Sequence, residues 1–205
     1  DRRNGAAPTY RSDVYAAWLS NTVKAQGAGG LAVSATTDQL EPAVASDGKT
    51  RMVSLRQVSK GMESLLTVAA KSSTAIAKPA AVFGGQTQNL SPALAWGKAV
   101  YMLTWYTPTL GTVKLLRLDS AGKPLAAPAA LGNGQSPALA TDGGGRFLVV
   151  WTVEDQCPGA VVGTSCVLGV LVGSDGKLLG AGKPVSLAST ANRRYEDATA
   201  AFDGA

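Results

Sequence analysis

The segments Ser91-Pro92-Ala93-Leu94-Ala95 and Ser136-Pro137-Ala138-Leu139-Ala140 are one phrase written twice. Glu41-Pro42-Ala43-Val44-Ala45 is a weaker copy upstream, and Glu196-Asp197-Ala198-Thr199-Ala200 is a degenerate one near the C-terminus. Self-similarity at a period of roughly 45 to 60 residues marks equivalent supersecondary units stacked on one another. It fixes much of the architecture and little of the chemistry.

Outward from Pro137, residues 136–140 read as a short strand of small residues, strand A. Thr141-Asp142-Gly143-Gly144-Gly145 is a turn, and the β-branched and aromatic run 146–153 is strand B. Residues 167–172 make strand C, Ser174-Asp175-Gly176-Lys177 a tight turn, and 178–187 an outer strand D. Gly180, Gly182 and Pro184 suit an irregular edge, because proline cannot donate to a central ladder. The unit around Pro92 repeats the order, with B at 99–105, C at 113–118, a turn at 119–123 and D from 124 to 131. Around Pro42 the corresponding pieces are B at 51–58, C at 65–70 and D at 74–83.

The chain ends carry partial units. Before Pro42 there are B at 14–18, C at 22–25, a glycine turn at 27–30 and D at 31–33, without a strand A; after Arg194 there is only a strand A with its turn, 198–204. Joined, they complete a fourth unit, and a closed ring leaves no sheet edge exposed. The expected fold is all-β: one β-propeller-like domain over 1–205 with four four-stranded antiparallel blades, at 197–205 plus 10–36, 41–84, 91–132 and 136–188. Pairing of the C-terminal strand with the N-terminal blade closes it. Four units of about 50 residues use nearly all 205. A fragment of a larger propeller, cut inside a blade at both ends, is the alternative.

The succession Pro-Ala-Leu-Ala, Asp-Gly, Phe-Leu-Val-Val-Trp and Ser-Asp-Gly-Lys-Leu-Leu-Gly resembles the propeller-type repeats of many secreted bacterial proteins. The resemblance covers 91–188 well and the remainder loosely. It implies export and a repeat fold, and no particular activity. Departures are the short first unit and the second, where Leu55 stands at the position of Trp105 and Trp151.

Composition excludes several classes. Apolar content of 45% with 16% charged residues fits a globular chain and argues against disorder. No stretch approaches the roughly 20 apolar residues of a membrane helix. The opening Asp1-Arg2-Arg3-Asn4 shows no signal peptide and reads as a processed start. Net charge is +5 with the basic residues scattered, whereas nucleic-acid binders concentrate them on one helix or patch. Cys157 and Cys166 flank a segment with Pro158, Gly159 and Gly163, whose turn chemistry brings its ends together. A disulfide pinning a hairpin loop is expected, and with it an oxidising compartment. Two thiols in a chain without histidine do not complete a zinc site.

Trp18, Trp105 and Trp151 end strand B in three units, so they are expected to pack between sheets rather than to stack on sugars. Tyr106, beside Thr107-Pro108 in a B–C loop, is the better candidate for an exposed contact. The Asp-Gly turns at Asp47, Asp142, Asp175 and Asp203 lack the alternating acidic spacing of a calcium loop, and they lack the following tryptophan of sialidase-like boxes. Without histidine there is no Ser-His-Asp or Cys-His machinery. Carboxylate pairs remain, because glycosidases use two acids roughly 5 to 10 Å apart. Glu154-Asp155 and Glu196-Asp197 are the candidates. Adjacent strand residues face opposite ways, so neither pair forms a dyad by itself and one member of each would have to converge. The other reading is solvated loop carboxylates.

In an A-B-C-D meander the A–B and C–D turns share one face of the ring, and the B–C and D–A loops share the other. The second face carries the acidic residues and the long loops 154–166 and 189–196. Binding residues sit on such loops. The leading expectation is a secreted, non-catalytic module that binds a protein of an extracellular assembly or a glycan. Its contacts would be Tyr106, Asp155, Arg193, Arg194 and Glu196. A glycan-cleaving enzyme using Asp155 and Glu196 as acid and base is the second reading. A structural piece processed from a longer repeat protein is the third. No cofactor, metal, nucleic acid or membrane insertion is expected.

Overall fold

A computed structural model of the chain describes residues 14–19, 25–32, 38–59, 62–72, 75–77, 79–84, 90–155, 157–158, 163–191 and 195–202. Among them there is no α-helix, and no helix long and apolar enough to cross a membrane. Three antiparallel sheets carry the fold. The first orders β3 (Asp38–Ser46), β4 (Arg51–Ser59) and β5 (Met62–Ser72), with the short edge strands β6 (Ala75–Ile76) and β7 (Ala80–Gly84) both on β5. The second runs from β8 (Leu90–Gly97) through β9 (Val100–Thr107) and β10 (Thr112–Leu118) to β11 (Ala129–Asn133). The third runs from β12 (Gln135–Thr141) through β13 (Arg146–Glu154) and β14 (Thr164–Gly173) to β15 (Val185–Ala191). A separate hairpin pairs β1 (Tyr15–Leu19) with β2 (Ala25–Ala32). The inner strands β3, β8 and β12 lie side by side in that order, so the sheets radiate from a common line.

Each inner strand contains the repeated phrase, and each is bulged at it. Register slips between Leu40 and Ala43, between Leu90 and Ala93, and between Gln135 and Ala138. The proline in each phrase has no N–H for the ladder, so pairing breaks there. The residue before it turns left-handed: φ is +52° at Glu41, +52° at Ser91 and +48° at Ser136. In the fourth copy the left-handed residue is Asp197, φ +49°, one place later than the phrase Glu196-Asp197-Ala198-Thr199-Ala200 puts it. It is in step with Asp203-Gly204, which matches Asp47-Gly48 and Asp142-Gly143 in sequence. That segment, 195–202, is not a strand, contrary to the expectation of a paired strand A there.

The outer strands also differ from expectation. The predicted D at 178–187 is mostly turn: only Leu178 bridges, to Val172, and β15 begins at Val185. Gly180 and Gly182, both at φ +67°, curl the intervening chain and delay the pairing. Likewise only Pro124 bridges, to Leu118, before β11 starts at Ala129. In the first unit, the glycines expected to turn at 27–30 lie inside β2, because Leu19 already pairs with Ala25 and Tyr15 with Ala32.

Alternation along β9 joins the sheets. Tyr101, Leu103 and Trp105 face the first sheet, in a core with Met52, Leu65, Leu116 and Leu118. Val100 and Met102 face the third, in a core with Phe147, Val149, Trp151, Leu168 and Val172. Trp105 and Trp151 are fully buried, so the expected packing role of these tryptophans holds at both. Each removes on the order of 150–250 Å² from water, the largest single contribution to its interface. Leu55, at the same place in the second unit, is also fully buried, in a third cluster with Val14, Val53, Leu66 and Val68. The side chain of Trp18 lies outside the described residues.

The face of A–B and C–D turns is stapled from sheet to sheet. The Thr67 hydroxyl donates to the Gly122 carbonyl at 3.0 Å, the Tyr101 hydroxyl to the Thr50 carbonyl at 3.0 Å, and the Lys98 N–H to the Gly143 carbonyl at 3.1 Å. The Arg117 guanidinium reaches the Asp175 carbonyl in the next unit. These turns hold neighbouring units together along this face.

Candidate functional site

On the opposite face, a cleft of about 250 Å³ opens between the second and third sheets. Four groups that could bind a polar ligand line it: Tyr106, Asn133, Gln135 and Glu154. Tyr106 sits near the end of β9, and the chain then makes a single 3-10 turn at Pro108–Leu110 capped by Gly111 in the left-handed region, φ +59°. Leu110 is 61% exposed on the rim. Asn133 and Gln135 flank the connection from β11 to β12, and Val153 and Glu154 end β13.

The floor is held by two bonds. The Gly134 N–H donates to the Gly111 carbonyl at 3.0 Å, tying the B–C loop of one unit to the D–A connection leading into the next. The Trp151 indole N–H donates to the Asn133 carbonyl at 2.9 Å. Gly134, at φ +137°, is required here: a Cβ would run into the Thr152 carbonyl and the Trp151 ring. Across the cleft wall, the Gln135 amide donates to Glu154 Oε1 at 3.3 Å. The arrangement therefore offers an aromatic ring, two amides and a carboxylate on a rigid base.

Asp155 follows Glu154 but does other work. It is exposed, at φ +60°, and its Oδ1 accepts the Gly163 N–H at 2.9 Å while its own N–H donates to the Thr164 carbonyl at 3.1 Å. It closes the loop that the Cys157–Cys166 disulfide pins, with both sulfurs buried. Glu196 is exposed beside Tyr195, whose N–H donates to Ser165 Oγ at 3.0 Å. Ser165 pairs in register with Glu154, so Glu154, Asp155 and Glu196 all gather at one end of the third sheet. Tyr106 joins Glu154 at the cleft. Arg193 and Arg194 lie outside the described residues.

Glu41 and Glu63 stand further round the same face, and both engage Arg56, at 3.4 and 3.2 Å. Among the described residues no group of acidic or sulfur side chains is placed to hold a metal ion.

The cleft's amides were missed by sequence reasoning, although the repeat carries the signal. The residue before the bulge is apolar in two copies, Leu40 and Leu90, and polar in the other two, Gln135 and Glu196. A polar departure at a repeated apolar position marks a place released from the repeat's own packing.

The sequence matches no family model and no curated relative. Solved structures do match in shape. An exo-1,5-α-L-arabinanase from a bovine ruminal metagenomic library aligns over 81% of this chain and 66% of its own, with 15% identity and a TM-score of 0.50. A GH43_1 enzyme from Xanthomonas citri, complexed with xylose, aligns over 85% of this chain and 62% of its own, with 9% identity and a TM-score of 0.51. The chain thus spans less than two thirds of these neighbours' length. They are β-propellers, and the fold described here belongs to that class. They are also glycoside hydrolases, which corrects the expectation of a non-catalytic binding module; of the readings made from sequence, glycan cleavage is the better supported.

Proposed function

We propose that the chain acts on glycans as a hydrolytic β-propeller, with the substrate entering over the face of B–C and D–A loops. The observation that carries this reading is the cleft itself: Tyr106, Asn133, Gln135 and Glu154 on a base fixed by Gly134 and Trp151. Sugars combine apolar ring faces with hydroxyl rims, and an aromatic ring beside amides and a carboxylate complements both. For the chemistry, Glu154 and Glu196 are the acid–base pair, one protonating the leaving oxygen and the other activating water. Asp155 gives up that role because its carboxylate holds Gly163.

The units themselves are proposed to form a four-bladed ring. Supporting this, Asp197 repeats the bulge backbone, and Ala201 and Phe202 line a second cavity against Ala140, Leu148 and Leu171, where the inner strand of a following unit would lie. Export to an oxidising compartment fits the disulfide.

Arabinan and xylan are the first substrates to try, because an arabinanase and a xylose-bound enzyme share the fold. Sugar release by the wild-type protein, abolished in Glu154→Gln and Glu196→Gln, is the expected result. Release that both variants retain would remove the two carboxylates from the mechanism.

A further inference from the structure

Independently of the glycan reading, we infer that the outer face of the third sheet, turned away from the core of Phe147 and Trp151, is the surface through which two copies of this chain associate. Val185 pairs in register with Gly169, so both face the same way, and Leu171 follows two residues on along β14. A Cβ at Gly169 would meet Leu187, and one at Gly173 would meet Leu179, which puts those leucines on this face too. Phe202 joins them, lining one cavity with Leu148 and Leu171. Five of the nine large apolar side chains that the described residues expose therefore share one sheet face: Leu171, Leu179, Val185, Leu187 and Phe202. A contiguous apolar patch of a few hundred Å² marks an interaction surface on a soluble protein.

The repeat identifies what covers such a surface. In the second unit the same positions are Met102, three residues before Trp105 as Leu148 is before Trp151, and Leu131, the bulged residue of β11 as Leu187 is of β15. Met102 is fully buried and Leu131 is 9% exposed, because the third sheet lies over them; Leu187 is 54% exposed. The surface that fits is another sheet of this repeat. Closing the ring does not supply it at β15, since five residues separate β2 from β3, too few for an outer strand with its turns. A second copy does supply it. Neither β14 nor β15 contains a charged residue, so a like surface meets no repulsion there, and nothing calls for a partner of opposite charge. Edge strands that resist pairing carry charges or proline, and β15 has neither. Face to face about a two-fold axis, Leu187 of each copy is set to fill the cavity of about 170 Å³ beside Leu148, Leu171 and Phe202 of the other.

Sedimentation velocity of the full chain, from low to high micromolar concentration, should show monomer giving way to dimer, because an interface of this size is a weak one. Leu187→Lys, which counts twice in a two-fold contact, should weaken the dimer at least roughly tenfold. Leu125→Lys, at an exposed leucine of the second unit, should leave it unchanged. Hydrogen exchange on the wild-type protein tests the same surface without a variant: amides of 185–191 should gain protection as concentration rises, and those of 51–59 should not. A monomer at every concentration, a dimer that Leu187→Lys leaves intact, or a dimer without added protection at β15 overturns the inference. A ladder of larger species overturns it as well, since that is an open-ended contact in place of a two-fold one. The glycan reading stands or falls separately, on sugar release.

Discussion

Glu41 and Ser91 occupy the same place in successive units, and Oε2 of the first accepts the backbone N–H of the second at 2.6 Å. Both sit at left-handed bulges, so one bulge satisfies the donor exposed by the next. The same carboxylate reaches Arg56 through its other oxygen at 3.4 Å. The link is made by a side chain in one partner and by backbone in the other, and that asymmetry can be tested.

Glu41→Ala should cost about 1–2 kcal/mol, since it strands the Ser91 N–H and half of the Arg56 pairing. Ser91→Gly should stay within about 0.5 kcal/mol of wild type, because relief of the left-handed backbone offsets the added chain entropy. Urea melts of the two variants check the contrast.

Gly134→Ala should be among the most damaging single changes, at roughly 2–4 kcal/mol, because the new methyl group meets the Thr152 carbonyl and the Trp151 ring. Gly111→Ala, which meets nothing within 4 Å, should cost only the strain of φ +59°, about 1 kcal/mol. Thermal unfolding of both proteins distinguishes a steric from a conformational requirement.

Removing the disulfide as Cys157→Ser with Cys166→Ser should lower stability by about 2–3 kcal/mol on the chain-entropy estimate for so short a loop. Because Asp155 and Gly163 close the same loop, activity attributed to Glu154 should fall more than stability alone explains. Turnover measured well below the melting temperature of the double variant checks this.

Stability should fall at both ends of the pH scale. Asp142 is held below the ordinary aspartate range, chiefly by its bond to the Arg146 side chain; Asp47 by the Thr50 N–H; and Asp175 by the Lys177 N–H. A depressed folded pKa means that the unfolded chain binds more protons in acid. The stabilisation is therefore whole above the unfolded value near 3.9 and is lost as pH falls through the folded ones. Burial, and then the charge of Asp47, pushes the Tyr101 phenol up to about 12. Its stabilisation is whole below the unfolded value near 10 and disappears as pH rises to about 12. Melting temperatures across pH should decline in both windows, and Tyr101→Phe should flatten the alkaline one.

The repeated phrase made the order of strands legible because the bulge imposed by Pro42, Pro92 and Pro137 is a local consequence of a missing donor. Trp105 and Trp151 were legible as core for a similar reason, since a large side chain at one repeated position has one packing job. The outer strands were not. Gly180 and Gly182 fit an irregular strand or a curl, and tertiary pairing with β14 decided for the curl. The cleft was half legible. Tyr106 could be singled out as a contact, although it is half-buried near the end of β9 rather than exposed in a loop, and Asn133 and Gln135 come together with Glu154 only through pairing of distant strands. Asp155 illustrates the limit most sharply. Sequence reading prefers it to Glu154 as the acid or base, and only the fold shows that it caps a loop.

The central claim is that glycans are bound and cleaved on the loop face between the second and third sheets. Backbone amide NMR of the protein titrated with arabino- and xylo-oligosaccharides tests it most directly. The account predicts shifts concentrated at Tyr106, Gly111, Asn133, Gln135 and Glu154, with slow cleavage of the ligand in the same tube. Shifts confined to the turns at Asp47, Gly122, Asp142 and Asp175, or no shifts at all, would contradict it.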